Sequence, residues 1–283
     1  MRSTVPFDPR ASRAPESSLA GRLGRRVVDV FRRAEGLLAT LGAAALAVRT
    51  PGLAAREVVR RVLFTQILYT GFQAVGLVSA IGALLGATIV IQIELMVPSA
   101  DSALIGKVLV AVVLRELAPL ITAIVVAGRS GTAIATELGN MQVNHEVLAL
   151  SSLGIDPARF IVLPRLVSAA VSVVVLMVYF SAVALIATAG LGLLLASAGS
   201  ESLVGGIRSA LTPYDFALFF GKGLGLGTLV GWLSCHYGFG VKSSPTEVPQ
   251  MASRAVVMSL FGAVTFNTLL TAVFYWTVGP PLR

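Results

Sequence analysis

The stretch ILYTGFQAVGLVSAIGALLGATIVIQI, residues 67–93, decides the fold. It carries no charged residue. It is also longer than the roughly 20 apolar residues that a helix needs to cross the ~30 Å hydrocarbon core of a bilayer. An uninterrupted apolar run of this length is typical of a membrane-spanning helix rather than of a soluble core element. The stretch therefore predicts a helix that crosses a membrane.

Four later stretches repeat the pattern. Two of them, 166–200 and 255–282, contain no charged residue, and the other two contain only a few. The five predicted spans cover about 67–97, 106–128, 164–198, 214–240 and 255–280. The fourth is rich in glycine, so it is expected either to break or to pack closely against a neighbour.

The composition agrees with a membrane protein. The chain of 283 residues is 55% hydrophobic and only 13% charged, whereas soluble domains carry about 25% charged residues. We predict an all-α membrane protein with an N-terminal interfacial amphipathic helix, five transmembrane helices, and a cytoplasmic coupling helix between spans two and three. The connections at about 98–106 and 199–213 are predicted to be short loops.

The formal net charge of +8 is distributed unevenly. Twelve of the 22 lysines and arginines precede position 66, beside the first span. This favours contact with a membrane surface over nucleic acid. With the N-terminus in the cytoplasm, seventeen basic residues fall on the inner side and three on the outer side, so the positive-inside rule predicts a cytoplasmic N-terminus and a periplasmic C-terminus.

The N-terminal third divides into two predicted parts. Residues 1–18 are polar and are expected to be a disordered extension. Residues 19–62 form a cytoplasmic interfacial helical region, in which apolar residues recur at helical spacing and arginines are interleaved with them. The alternative is a soluble helix packed on another subunit.

A segment between spans two and three has the form of a coupling helix. An amphipathic helix is predicted at about 140–154, with Gly154 near its C-terminal cap. Its apolar face would dock into a groove on a partner. The predicted docking residues are Glu146, Val147, Leu150, Leu153 and Gly154. The alternative is a helix that lies passively on the membrane or against its own spans.

Charged residues also fall within the predicted spans, where each costs roughly 2.5–3.5 kcal/mol on insertion scales. They are Arg115, Glu116, Asp215 and Lys222. Such residues usually face a cavity or a partner. They can equally form an internal ion-pair network that holds the spans together, and the two roles are compatible.

Two weaker patterns complete the candidates. A small-residue stretch is predicted to form a structural elbow that leads into the coupling helix; its residues are Gly128, Arg129, Gly131 and Glu137. A lipid pocket formed by spans one, two and five would be lined by Leu77, Ile81, Leu84, Leu85 and Val110. The elbow lacks the lysine and the preceding strand of a phosphate loop, and the single cysteine and two histidines give no metal-site spacing.

Two long motifs resemble the MlaE/YrbE permease family. They are LRELAPLITAIVVAGR at 114–129 and AGRSGTAIATELGNMQVNHEVLALSSLGIDPARFIVLPR at 127–165, and the resemblance extends from about Phe64 to Trp276. It therefore identifies residues 63–283 as an MlaE-type permease domain. The family has charges matching all four intramembrane positions, which suggests cavity lining or contact with a ring subunit.

The resemblance implies a non-enzymatic permease subunit in a bacterial inner-membrane ABC transporter that moves phospholipid between inner and outer membranes. Its implied partners are a second permease copy, two cytoplasmic ABC ATPase subunits that bind ATP and Mg, an MCE-domain periplasmic ring protein, and a small regulatory subunit on the ATPase. No cofactor is expected in this chain. The alternatives are an ion-coupled secondary transporter that uses Glu116, Asp215 and Lys222, and a non-transporting scaffold. The absence of an inverted repeat and the odd number of spans disfavour the secondary transporter.

Overall fold

The structure is a computed structural model that describes residues 55–96, 102–194, 200–242 and 244–278. The extension predicted at 1–18 and most of the interfacial region predicted at 19–62 lie outside the described residues. Every element within the described ranges is helical. Five helices there are long and apolar enough to cross a membrane, which confirms the predicted all-α fold with five spans.

The helices follow one another with short connections. Helix α1 is Ala55–Met96, and α2 runs without interruption through Ser102–Val108, Leu109–Leu117, Ala118–Val126, Ala127–Gly131 and Thr132–Val143. The next helices are α3, Glu146–Ser152; α4, which comprises Ala158–Val162 and Leu163–Leu194; α5, Ser200–Ala210; α6, Pro213–Phe239; and α7, Glu247–Val278. The spans are α1, α2, α4, α6 and α7.

Helix α2 is much longer than a bilayer requires. Its spanning run, Ala103–Val143, has 41 residues, which is roughly 60 Å at ~1.5 Å per residue, about twice the ~30 Å of the hydrocarbon core. Two pieces of it, Leu109–Leu117 and Ala127–Gly131, are π-helical. A π-helical turn inside an α-helix often marks a functional site.

Small residues allow the spans to approach closely. A Cβ added at Gly227 of α6 would lie 2.5 Å from the Cα of Ala170 in α4, and one added at Gly82 of α1 would lie 3.2 Å from the carbonyl oxygen of Phe180. The glycine-rich fourth span is therefore a continuous, closely packed helix rather than a broken one.

Two connections differ from the prediction. The helix predicted at about 140–154 is divided, because His145 adopts the left-handed conformation (φ 57°) and separates the end of α2 from α3. The loop predicted at 199–213 contains α5, whose Gly206 packs against Ala103 at the start of α2. This helix has only eleven residues and contains a glutamate and an arginine, so the search for long apolar runs did not indicate it.

Candidate functional site

The candidate site is built around the first turn of α6. Thr212 is the N-cap of this helix and Asp215 is its third residue, and together they form a capping box. One carboxylate oxygen of Asp215, Oδ2, accepts hydrogen bonds of 2.8 Å from both the main-chain N–H and the hydroxyl of Thr212. The local helix start thus fixes the Asp215 carboxylate in the bundle interior.

Arg115 of α2 reaches this carboxylate. Its Nη2 donates to Asp215 Oδ2 at 3.0 Å, and its Nε lies 2.8 Å from Oδ1, while both side chains are 5% exposed. Nη2 also lies 3.2 Å from the carbonyl oxygen of Ala210, to which it donates. Two contacts between a guanidinium and one carboxylate form a strong, oriented pair. The pair joins α2 to the start of α6.

Glu116, the next residue of α2, pairs with Lys222 instead. The Lys222 ammonium is fully buried and donates to Glu116 Oε1 at 3.1 Å, to Thr271 Oγ1 at 2.7 Å and to the main-chain oxygen of Arg115 at 2.7 Å. An ammonium has three donors, so this set uses all of them. In an α-helical ladder, the N–H of residue 119 would bond the Arg115 oxygen, but Pro119 has no N–H. Lys222 supplies a donor in its place.

Helix α7 completes the cluster. Asn267 Nδ2 donates to Glu116 Oε2 at 2.8 Å, and the Thr271 hydroxyl donates to Glu116 Oε1, also at 2.8 Å. Three spans therefore meet in one polar cluster, which we call the charge network: Arg115, Glu116, Asp215, Lys222, Asn267 and Thr271.

The structure brings all four sequence-predicted charges together as two ion pairs. Asn267 and Thr271 were not singled out from the sequence, although a signal existed. Asn267 carries the one carboxamide between positions 255 and 278, and Thr271 lies one turn later. Strongly polar side chains in a span usually hydrogen-bond to another helix.

A cavity of about 280 Å³ lies beside the Arg115–Asp215 pair. We call it the lateral cavity. It lies between α2, α4 and the start of α6, and its lining residues are Val110, Leu114, Arg115, Val178, Ser181, Ala182, Leu185, Leu211, Asp215, Phe216, Phe219 and Phe220.

Of the five residues predicted to form a lipid pocket, only Val110 lines the lateral cavity. Leu77 and Leu84 are exposed on α1, and Ile81 and Leu85 pack against the main hydrophobic core. The lateral cavity thus involves spans two, three and four rather than one, two and five. Helix α1 packs mainly along α4, and no described residue of α1 lines the cavity.

The predicted elbow is a π-helical turn within α2 rather than a bend between helices. Gly128 and Arg129 are exposed there, whereas Gly131 is buried, and a Cβ at its position would lie 2.9 Å from the hydroxyl oxygen of Ser234. Glu137, further along, forms a 2.8 Å ion pair with Arg165 of α4. The sequence interpretation had not assigned a role to Arg165.

The structure divides the predicted docking residues between an exposed set and a half-buried set. Val147 and Leu150 are half-buried and pack against the chain's own spans, in a cluster with Leu138. Leu148 is 64% exposed and Leu153 is 76% exposed. Glu146 and Gly154 are also exposed, and Gly154 ends the helix in the left-handed conformation (φ 75°). Val147 and Leu150 therefore pack within the chain, whereas Glu146, Leu153 and Gly154 of the predicted docking set are exposed.

Comparison with known proteins places these features in a family. The family described as "Permease MlaE" matches residues 63–273, which include the first four spans, most of the fifth and the whole charge network. The chain is 26% identical over 259 residues to the intermembrane phospholipid transport system permease protein MlaE of Haemophilus influenzae, covering 89% of this chain and 96% of that protein.

Two further relatives differ in coverage. A probable ABC transporter permease protein of Rickettsia conorii is 26% identical over 261 residues, covering 91% of this chain and 98% of its own length. The chloroplastic protein trigalactosyldiacylglycerol 1 of Arabidopsis thaliana is 32% identical over 179 residues, which are 63% of this chain. The match spans about half (51%) of the length of the Arabidopsis protein.

Proposed function

The chain belongs to the MlaE permease family, and from this premise we propose that it is the membrane permease subunit of an ABC transporter that moves phospholipid between the inner and outer membranes of a bacterium. The observation that carries the proposal is the family match over residues 63–273. The printed function of the Haemophilus influenzae relative supports phospholipid as the cargo.

The proposed route of energy transfer starts at α3. Leu148 on α3 and Leu153 at its C-terminal cap are large, exposed apolar side chains. An exposed apolar surface of this kind suits a groove on a cytoplasmic ATPase. From there the continuous helix α2 extends to the charge network. A displacement at α3 would therefore be transmitted through α2 to the spans that the network joins.

The proposed role of the charge network is to make α2, α6 and α7 move as one body. Each charge has an opposite partner within the bundle. Removing one member of either ion pair would leave a buried charge without a counter-charge, which strongly destabilises the bundle. The spans would thus be held in register while the rest of the bundle rearranges around the lipid.

The proposed assembly contains two permease copies, two ATPase subunits that bind ATP and Mg, an MCE-domain ring in the periplasm, and a small regulatory subunit on the ATPase. The chain would be a multi-pass inner-membrane protein with its N-terminus in the cytoplasm and its C-terminus in the periplasm. This orientation rests on the distribution of basic residues.

Reconstitution tests the proposal. Vesicles that contain the full chain with its cognate ATPase and ring subunits are expected to transfer fluorescent phospholipid when ATP is added. The matched controls are the chain alone and the assembly with a hydrolysis-deficient ATPase, and both are expected to be inactive. Transport driven by a proton gradient without ATPase would instead support the ion-coupled transporter that uses Glu116, Asp215 and Lys222.

A further inference from the structure

The described part of the lateral cavity's wall is almost entirely apolar. Among its described lining residues, the polar side chains are Arg115, Asp215 and Ser181. Arg115 and Asp215 are engaged with each other, and the Ser181 hydroxyl donates to the carbonyl oxygen of Met177 at 2.8 Å. The remaining lining side chains are aliphatic or aromatic. A ligand of this cavity would therefore be hydrocarbon.

The size of the cavity limits which hydrocarbon fits. Its volume of about 280 Å³ is several times the ~30 Å³ that one water molecule takes up in the liquid, so it has room for a short run of chain carbons. A transmembrane helix of a partner, about 10–12 Å across with its side chains, is too wide to enter. A whole phospholipid is also too large. Part of one acyl chain fits.

The mouth of the cavity opens at the surface of the spans. Val178 on α4 and Phe216 and Phe220 on α6 line the cavity and are exposed, and each lies within a spanning helix. In a bilayer, such a mouth meets lipid tails rather than water. Apolar cavities of this kind also stay dry, so water is a poor occupant.

We propose that the lateral cavity holds the end segment of one acyl chain of a membrane phospholipid. The bound chain packs beside the Arg115–Asp215 pair and keeps water away from it. The site lies on spans two, three and four, apart from the pocket predicted on spans one, two and five. The assignment of the chain to a phospholipid rests on the proposed function, whereas the apolar lining and the volume do not.

Photolabelling tests the proposal on the full-length chain. The protein is purified in detergent micelles, which dilute out loosely associated lipid, and mixed with phosphatidylglycerol that carries a diazirine near the end of one acyl chain. After illumination, the labelled residues are mapped by peptide mass spectrometry. Labelling is expected to be several-fold higher at Val178, Phe216 and Phe220 than at exposed span residues that do not line the cavity.

A matched pair of variants makes the test specific. Val178→Trp fills the mouth and is expected to lower labelling at Phe216 and Phe220 several-fold. Val175→Trp alters the same residue type one helical turn away, at a similarly exposed position that does not line the cavity, and is expected to leave labelling unchanged. Ala182→Leu, a milder filling variant, serves if Val178→Trp does not fold.

Several outcomes would overturn the proposal. They are even labelling of all exposed span residues, labelling that the filling variants leave unchanged, and equal labelling by a free diazirine fatty acid. A disulfide between two copies of a Val178→Cys variant would show that a second copy covers the mouth. None of these measurements needs the ATPase, so their failure would leave the reconstitution test of the proposed function untouched.

Discussion

At the scale of single residues, the two ion pairs of the charge network differ in how they are supported. Asp215 is fixed by its own helix start and by Arg115, whereas Glu116 depends on side chains from two other helices. Both pairs sit among apolar spans, where removal of one partner costs more than removal of both. The difference between removing one partner and removing both can be measured as a change in the free energy of unfolding.

Replacing Asp215 by Asn keeps an acceptor for Thr212 but removes the charge that balances Arg115. We expect the loss of stability to be about 3–5 kcal/mol, because a buried guanidinium is left unpaired. Adding Arg115→Met to Asp215→Asn should restore part of that loss. Reversible unfolding in mixed detergent micelles measures both variants, and strictly additive effects would contradict the direct pairing.

The amide of Asn267 provides a second residue-scale prediction. Asn267→Leu removes the donor to Glu116 Oε2 and is expected to lower stability by about 1.5–3 kcal/mol, the range for hydrogen bonds to charged groups. Thr268→Val is the matched control, since the exposed Thr268 hydroxyl bonds the main-chain oxygen of Val264 in its own helix. Equal free energies of unfolding for the two variants would contradict a stabilising hydrogen bond between Asn267 and Glu116.

The sequence could identify the charges of the site but not their partners. A charge in an apolar span is visible at once, because it is rare and costly there. Which residues pair depends on the rotation of each helix about its axis relative to its neighbours, and one sequence does not contain that information. Adjacent helical positions point about 100° apart, so Arg115 and Glu116 pair with different residues of α6, and Glu116 alone also reaches α7.

At the scale of elements, the length of apolar stretches predicted the spans correctly, because the bilayer imposes one thickness on all of them. The ends of helices outside the bilayer were not fixed in this way. The prediction therefore missed that α2 continues to Val143, that His145 divides the helix predicted at about 140–154, and that α5 forms in a connection. Those features depend on local dihedral angles and tertiary packing.

The α4–α6 contact gives an element-scale prediction. Gly227→Ala would place a Cβ 2.5 Å from the Cα of Ala170, so the helices must separate, and we expect a loss of about 1–3 kcal/mol, as for other overpacked cores. Gly221→Ala is the control on the same helix, because its Cβ would meet nothing within 4 Å. In thermal unfolding measurements in detergent, the midpoint temperature is expected to fall for Gly227→Ala and to stay unchanged for Gly221→Ala.

Helix α3 gives a second element-scale prediction, because one of its faces is exposed and the other packs against the chain's own spans. Leu153→Asp alters an exposed side chain and is expected to abolish co-purification of the ATPase while leaving the permease as stable as the wild type. Leu150→Asp places a charge in the packed cluster below the helix and is expected to destabilise the permease itself. Undiminished ATPase binding by a folded Leu153→Asp variant would refute the proposed docking face.

At the scale of the whole molecule, everything proposed for α3 requires it to lie on the cytoplasmic side. The structure places α3 and α5 on opposite ends of the spanning helices, since α2 and α4 each cross the bundle between them. Which of the two ends faces the cytoplasm is inferred from the basic residues, of which seventeen are assigned to the side of α3 and three to the other side. A direct test of sidedness is therefore the sharpest test of the proposal.

Single cysteines at two exposed serines supply this test. Ser151 lies on α3 and Ser209 on α5, and the native Cys235 is fully buried, so a membrane-impermeant thiol reagent should not reach it. In intact cells, Ser209→Cys is expected to react and Ser151→Cys to remain unlabelled until the cells are opened. The reverse pattern would place α3 outside the cell, where no cytoplasmic ATPase could bind it, and the proposed mechanism of energy transfer would be wrong.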